Sequence, residues 1–326
     1  MDRVRRMIGC DSRSTTYYTG RGVYVAVLDS GVARHPDLEG RIIGFRDFSG
    51  KNNRSRQNEG YYDDNGHGTH VCGILAGNGK LSDGRYRGIA PECNILCGKV
   101  LDEKGAGSLK NLLAGLQWVM ELLDSYPIRI LNISIEMEQT SALNPEEVEL
   151  LRKFLHYFWE SNIVTVAAAG NKGPDPMSIS PISESSYCIC VGCNDGDYVG
   201  IGGRTCAEYS ARGPASPDHL EGGGNPLKKP DIVAPGTDII SCCNKVYWKP
   251  PLWRQAYTAK SGTSMATPLV SGACALCMQK YPKITNTQLR RLLFHSARDL
   301  GENWNTQGAG MMQVDKMLEN LTKKYI

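Results

Sequence analysis

No stretch of this 326-residue sequence approaches the roughly 18 consecutive apolar residues that a membrane-spanning helix requires. The basic residues Arg3, Arg5 and Arg6 are followed by only two apolar residues, which is too short for the core of a signal peptide. Charge of one sign is also missing, because 37 Lys and Arg nearly balance 34 Asp and Glu for a net charge of +3. We therefore expect no membrane or nucleic-acid partner and a cytoplasmic location.

A complete metal-binding set of cysteine and histidine is missing as well. The twelve cysteines are scattered, and the nearest approach to a cluster is Cys188, Cys190 and Cys193. Alternation along a strand would turn Cys188 and Cys190 to one face, but no further ligand at zinc spacing completes a set of four. We predict no metal there and most thiols reduced and unpaired, with Cys242 and Cys243 the most exposed pair.

Apolar runs of strand length alternate with segments of helical period along the chain. Residues 23–28, 128–135 and 163–168 are typical of buried strands, and residues 109–123 and 148–159 carry apolar side chains at helical spacing. This order predicts an α/β fold with a doubly wound, mostly parallel sheet and helices on both faces.

Three polar stretches, 49–60, 216–230 and 244–260, interrupt this alternation. They are rich in glycine, proline, asparagine and charge, which is typical of surface loops rather than of linkers between domains. We therefore predict a single domain over residues 1–326.

The residues that end apolar runs are the first candidates for a functional site, because ligands bind at the carboxyl ends of strands in open parallel sheets. Asp29 ends the first run and is followed by Ser30 and Gly31. A buried carboxylate is costly there unless it has a dedicated partner. Taken alone, Asp29 is equally consistent with a strand-end turn or a helix cap.

A histidine between two glycines opens the next helical pattern. Gly66 and Gly68 leave space around the imidazole of His67, just before the apolar run 71–76. A helix N-terminus disfavours a permanent positive charge, which suits a base that is neutral at rest. His70 lies three residues further on without flanking glycines, and we assign it a structural or capping part.

Two further segments place polar groups where backbone can approach a ligand. Residues 261–268 read Ser-Gly-Thr-Ser-Met-Ala-Thr-Pro and open a helical pattern that runs to about residue 278, with Pro268 taken as a mark of its first turn. A serine there usually caps the helix, but small neighbours also allow N–H donors to face an anion. Asn171, between Gly170 and Gly173, would alone indicate an Asx turn.

Together these segments resemble the subtilisin-like serine proteases, or subtilases, across nearly the whole chain, and within them the intracellular bacterial type. The matching blocks are 25–32, 35–38, 66–71, 168–173, 229–236 and 261–268. Their order, aspartate then histidine then serine, distinguishes this family from other hydrolases with the same triad.

The resemblance implies a serine endopeptidase acting on protein or peptide substrates. Ser264 would attack the peptide carbonyl, and His67 would take its proton and return it to the leaving amine. Asp29 would hold the imidazole in the required tautomer. Asn171 and the backbone N–H of Ser264 would bind the oxyanion.

The resemblance also implies that the substrate binds as an extended strand between residues 104–107 and 134–136. Asn65 would line the P2 site, and residues 168–170 would form one wall of the P1 pocket. The substrate-binding residues that the resemblance implies are Asn65, Gly105, Ala106, Gly107, Ser134, Ile135, Glu136, Ala168, Ala169 and Gly170. The oligomeric state stays open.

Three residues near the expected cleft depart from the family pattern. Glu136 and Met137 stand where the family has glycine, and Lys172 follows the oxyanion asparagine. If these side chains reach the cleft, the enzyme should accept a narrower range of peptides than its relatives. Glu136 would then place negative charge at the cleft rim, and Lys172 would place a cation near the P1 mouth. The resemblance further implies a cis peptide bond between Ser180 and Pro181.

Calcium and a prosegment are also features of the family. Asp37 matches a calcium ligand, but residues 77–84 include Lys80 and lack a regular series of oxygen ligands, so we predict no required cofactor and no metal. Only 28 residues precede Asp29, from which we expect either a protein that folds without a prosegment or a sequence that starts at a mature N-terminus; Met1 favours the former.

Two alternatives to a peptidase remain at this stage. A non-catalytic subtilase fold could serve as a binding or regulatory module, with Glu136 accommodating a partner segment. A lipase or other esterase with the same triad is disfavoured, because Ser264 lacks the Gly-x-Ser-x-Gly turn of those enzymes.

Overall fold

The computed structural model describes residues 1–50, 60–137, 144–195, 205–215, 227–245 and 256–319. Its strands are β1 Tyr24–Asp29, β2 Ile42–Asp47, β3 Asn94–Lys99, β4 Ile128–Ile133, β5 Val164–Ala168, β6 Cys188–Cys193, β7 Ile232–Ala234, β8 Ile239–Cys242 and β9 Tyr257–Lys260. Its helices are α1 Asp2–Met7, α2 His67–Ala76, α3 Leu109–Leu122, α4 Pro145–Glu160, α5 Thr263–Lys280, α6 Asn286–Ser296, α7 Trp304–Gln307 and α8 Val314–Glu319.

The first seven strands form one parallel sheet in the order β2-β3-β1-β4-β5-β6-β7. Successive strand residues point to opposite faces, so each face of the sheet has its own core. Val25 and Val27 pack in the core that includes α2 and α5, whereas Ala26 and Leu28 pack in the core that includes α3 and α4. The α/β fold with helices on both faces is therefore confirmed.

Helix α5 is buried from Thr263 to Met278 and contacts β4, β5, β6 and β7. Pro268 is the sixth residue of this helix rather than a residue of its first turn, so its position as a start marker was wrong. Proline has no N–H, so the carbonyl of Ser264, four residues earlier, receives no helical hydrogen bond from it. In the same turn, Thr267 Oγ1 donates to the carbonyl of Thr263 at 2.8 Å.

The predicted loop 244–260 contains a strand that the sequence pattern did not reveal. Tyr257–Lys260 forms β9 and pairs antiparallel with β8. The strand has only four residues, and the polar residues Thr258 and Lys260 leave it without an apolar run. Its conformation therefore depends on pairing with β8. The predicted loops 49–60 and 216–230 lie mostly outside the described residues.

All twelve cysteines are free, which confirms the prediction of unpaired thiols. The expectation of an exposed pair was wrong, because Cys242 is 1% exposed and only Cys243 is partly exposed. Cys242 ends β8, where it packs with the core around α2.

The cis peptide bonds of the described residues precede Pro174, Pro214 and Pro230. The prediction of a cis bond before Pro181 was therefore wrong.

Within the described residues, no helix has the length and hydrophobicity that a bilayer span requires.

Candidate active site

The sheet order brings the candidate residues to one edge. Strands β1, β4 and β5 are neighbours, so Asp29, Ser134 and Ala169 lie at or just beyond adjacent carboxyl ends. Helices α2 and α5 pack against each other and begin with His67 and Thr263, which places His67 and Ser264 in first turns near this edge.

Asp29 and His67 form a close pair. Asp29 is fully buried, and its Oδ1 lies 2.7 Å from His67 Nδ1. The same oxygen accepts from the backbone N–H of Ser30 at 2.7 Å, which fixes the carboxylate. With Nδ1–H donating to Asp29, the other ring nitrogen, Nε2, is left to accept a proton.

Glycine is required beside this histidine. A Cβ on Gly68 would lie 2.1 Å from the carbonyl oxygen of Gly31 and 3.0 Å from Asp29 Oδ1. Real Cβ atoms do not approach backbone so closely, so a larger residue would force α2 away from the end of β1. The glycine after His67 therefore allows the close approach of His67 to Asp29.

Asp63 is a supporting residue that the sequence reasoning missed. Its Oδ1 accepts from the N–H groups of Asn65 and Gly66 and from Ser30 Oγ, at 3.1, 2.8 and 3.0 Å. Its Oδ2 accepts from Thr69 N and Oγ1 at 2.9 and 2.6 Å. Asp63 thus caps α2 and fixes the residue after Asp29; its position just before the glycine-flanked histidine was the available signal.

Opposing effects act on the pKa of His67. Burial disfavours the charged ring, but the charge of Asp29 and its hydrogen bond outweigh burial and raise the pKa of His67 above its ordinary value. His70 has no such partner: its Nε2 donates to the carbonyls of Ile239 and Thr258, and burial lowers the pKa of His70 to about 3. His70 is therefore a neutral structural residue.

The raised pKa of His67 predicts the acid limb of the pH profile. A base must be neutral to accept a proton, so a raised pKa keeps His67 protonated to higher pH. Activity should rise with pH through an apparent pKa above about 6.5, the ordinary value for histidine. Steady-state kcat/KM against pH checks this; an acid limb centred clearly below pH 6 would contradict it.

Ser264 lines a cleft of about 690 Å³ together with His67. Ser264 is only 8% exposed. The preceding residue, Thr263, is bonded to Asn171, whose Oδ1 accepts from Thr263 N at 2.9 Å and from Thr263 Oγ1 at 3.3 Å. These bonds use the acceptor of the Asn171 amide and leave its Nδ2–H₂ donor directed elsewhere.

Most of the predicted substrate-binding residues line the same cleft. They are Asn65, Gly105, Ala106, Gly107, Ser134, Ile135 and Glu136. Ala168, Ala169 and Gly170 do not line it, because they are buried at the end of β5. Lys172 is exposed and is not among the lining residues either.

The Asp37 site does not suit a calcium ion. Asp37 is fully buried; its Oδ1 accepts from Leu81 N at 3.0 Å and its Oδ2 from Tyr257 Oη at 2.7 Å. Lys80, in the adjoining loop, instead pairs with Glu39 at 3.2 Å. Both carboxylate oxygens of Asp37 therefore accept hydrogen bonds from protein donors, whereas a calcium site needs further oxygen ligands around the ion.

A second candidate metal cluster among the described residues joins His35, Asp37 and Cys242 within 4.8 Å. Both ring nitrogens of His35 are engaged, since Nδ1 accepts from Asp37 N at 3.0 Å and Nε2 donates to Ala256 O at 2.9 Å. Burial raises the pKa of the Cys242 thiol well above its ordinary value, which opposes the thiolate that a metal needs. These residues form a hydrogen-bonded core rather than a ligand set.

Comparison with known proteins gives consistent results. The profile of the Subtilase family matches residues 20–311. Serine protease AprX of Bacillus subtilis (strain 168) is 37% identical over 307 residues, covering 91% of this chain and 66% of AprX. Subtilisin Savinase of Lederbergia lenta is 32% identical over 298 residues, covering 91% of each chain.

The solved structure of Sphericase superimposes with a TM-score of 0.74 at 27% identity, covering 95% of this chain and 97% of Sphericase. The chain spans less than two thirds of some curated relatives, namely 66% of AprX and 38% of the minor extracellular protease Epr of Bacillus subtilis (strain 168).

Proposed function

This chain belongs to the subtilase family, and from that premise we propose that it is a serine endopeptidase that hydrolyses proteins through an acyl-enzyme on Ser264. The observation that carries the proposal is the 2.7 Å contact between buried Asp29 and His67, in a cleft that Ser264 also lines. A carboxylate that fixes an imidazole beside a serine is the arrangement that activates a hydroxyl nucleophile.

In the proposed reaction, Ser264 Oγ attacks the scissile carbonyl carbon as its proton passes to His67 Nε2. The carbonyl π electrons move to oxygen, and the oxyanion accepts hydrogen bonds from Asn171 Nδ2 and the backbone N–H of Ser264. The tetrahedral species collapses, the C–N bond breaks, and His67 gives its proton to the leaving amine. Water then attacks the acyl-enzyme with His67 again as base, which releases the acid and restores Ser264.

Substrate would lie as an extended strand between residues 104–107 and 134–136. Both segments line the cleft of about 690 Å³, which supports the proposal. Backbone-first recognition of this kind admits internal segments of a protein chain rather than only its ends.

Peptide mapping tests the endopeptidase assignment directly. Purified protein would be incubated with reduced, denatured casein, and the new termini identified by mass spectrometry. We expect internal cleavages to dominate the first products. Products that arise only by trimming from one end, or intact casein at high enzyme concentration, would contradict the assignment.

We further propose that no metal is required, which the hydrogen-bonded state of Asp37 supports. Dialysis against EDTA should therefore leave both peptidase activity and the melting temperature unchanged. A loss of either that added Ca²⁺ restores would show that a structural cation exists.

We also propose that the protein is an intracellular subtilisin located in the cytoplasm. This proposal is supported by the twelve unpaired cysteines, since stable disulfides are typical of exported proteins. Fractionation of the source cells, with immunodetection of the protein, tests it; recovery in the culture medium would contradict it.

A further inference from the structure

Glu136 occupies an unusual place beside the candidate oxyanion donor. It follows buried Ile135 just beyond β4, and its side chain is exposed in the cleft that His67 and Ser264 line. Glu136 Oε2 accepts from the backbone N–H of Asn171 at 3.1 Å and from Asn171 Nδ2 at 3.3 Å. A carboxylate therefore rests on the same amide that would receive the oxyanion.

The other carboxylate oxygen of Glu136, Oε1, lies near Gly170, the residue before Asn171. A Cβ built on Gly170 would be 3.5 Å from Glu136 Oε1, an ordinary van der Waals contact, so this oxygen lies close to Gly170. The side chain thus spans the gap between the segment after β4 and the segment after β5. In the proposed enzyme, this gap receives the P1 side chain.

The carboxylate has no cationic partner within the described part of the chain. No salt bridge among these residues involves Glu136, and Lys104, which lines the same cleft, forms none with it.

An unpaired negative charge here opposes the proposed reaction. The amide of Asn171 has two hydrogens, so one can hold Glu136 while the other binds the oxyanion. The two anions would then be roughly 5 Å apart, since each accepts from the same nitrogen at about 3 Å. Their repulsion grows as the bound peptide excludes water, and a cation supplied by the substrate would remove it.

We propose that Glu136 is a specificity-determining residue that selects peptides with arginine or lysine at P1. This inference rests on the proposed endopeptidase function. The P1 side chain branches one bond from the carbonyl carbon, so its cation can reach the carboxylate held on Asn171. Arginine is favoured over lysine because its planar guanidinium can pair with both carboxylate oxygens.

The test uses fluorogenic peptides that differ only at P1, with arginine compared with its neutral isostere citrulline. We expect kcat/KM of the wild-type enzyme to favour arginine about 10- to 100-fold. Glu136→Gln keeps an oxygen that can accept from Asn171 but removes the charge, and it should reduce the ratio to about 3-fold or less. It should also raise kcat/KM for the citrulline peptide.

Glu160→Gln is the matched control. Glu160 ends α4, just before the amino end of β5, so the same loss of charge occurs at the opposite edge of the sheet. This variant should retain the wild-type ratio. Added salt should lower the wild-type ratio through screening and leave that of Glu136→Gln unchanged, which a purely structural role of Glu136 would not produce.

The outcomes separate this inference from the function on which it rests. Cleavage with an arginine-to-citrulline ratio that is near one in the wild type, or equal in the wild type and Glu136→Gln, overturns the inference and leaves the peptidase assignment intact. Failure of the wild type to cleave any peptide or casein overturns both. If Glu136→Gln does not fold, the wild-type ratio and its salt dependence decide alone.

Discussion

Replacing Ser264 with alanine should lower kcat for peptide hydrolysis about 10⁶-fold, the magnitude known for the corresponding change in subtilisin. The substitution removes only Oγ, which supplies the bond to the acyl group in the proposed reaction. Thr263 keeps its hydrogen bonds to Asn171, so the start of α5 should stay in place. The measurement is steady-state hydrolysis of a fluorogenic peptide, alongside thermal unfolding.

Ser125→Ala provides the matched control for this experiment. Ser125 is exposed between α3 and β4, at the amino edge of the sheet, and should tolerate the change with full activity. A Ser264→Ala variant that is folded and still hydrolyses peptides at a rate near wild type would show that another group is the nucleophile.

Replacing Asp29 with asparagine should lower kcat about 10⁴-fold, the size known for such changes in other Ser-His-Asp proteases. The carboxylate accepts from His67 Nδ1 at 2.7 Å, whereas an amide nitrogen in that place would favour the tautomer with the proton on Nε2. That tautomer cannot accept the proton of Ser264.

The same variant should also move the pH profile. The charge of Asp29 raises the pKa of His67 against the effect of burial, so its loss should lower that pKa and shift the acid limb of the residual activity to lower pH. Asp124→Asn, an exposed aspartate between α3 and β4, is the control and should change neither rate nor profile. An unshifted acid limb in Asp29→Asn would contradict this account of His67.

The sheet and its helices could be predicted because their signals are local. Apolar runs become the buried strands β1, β4 and β5, and amphipathic spacing marks α3 and α4. The short strand β9 could not be predicted in this way, since its conformation depends on pairing with β8 some 15 residues earlier in the chain.

Some contacts join residues that are distant in the sequence. Asp231 lies in a recognisable block, but only the structure shows that it pairs with Arg290 at 3.0 Å, which ties the start of β7 to α6. The contact between Glu136 and Asn171 likewise joins residues that follow neighbouring strands. Sequence indicated that Glu136 was exceptional, but only the structure shows which donor it meets.

Labelling with a fluorophosphonate tests the central claim most directly, because such probes phosphonylate a serine only when a neighbouring base activates it. The account predicts one adduct per chain, located on Ser264 by peptide mass spectrometry, and little labelling of His67→Ala. An adduct on a different serine, or no adduct on folded protein that is active toward casein, would contradict the assignment of Ser264, His67 and Asp29.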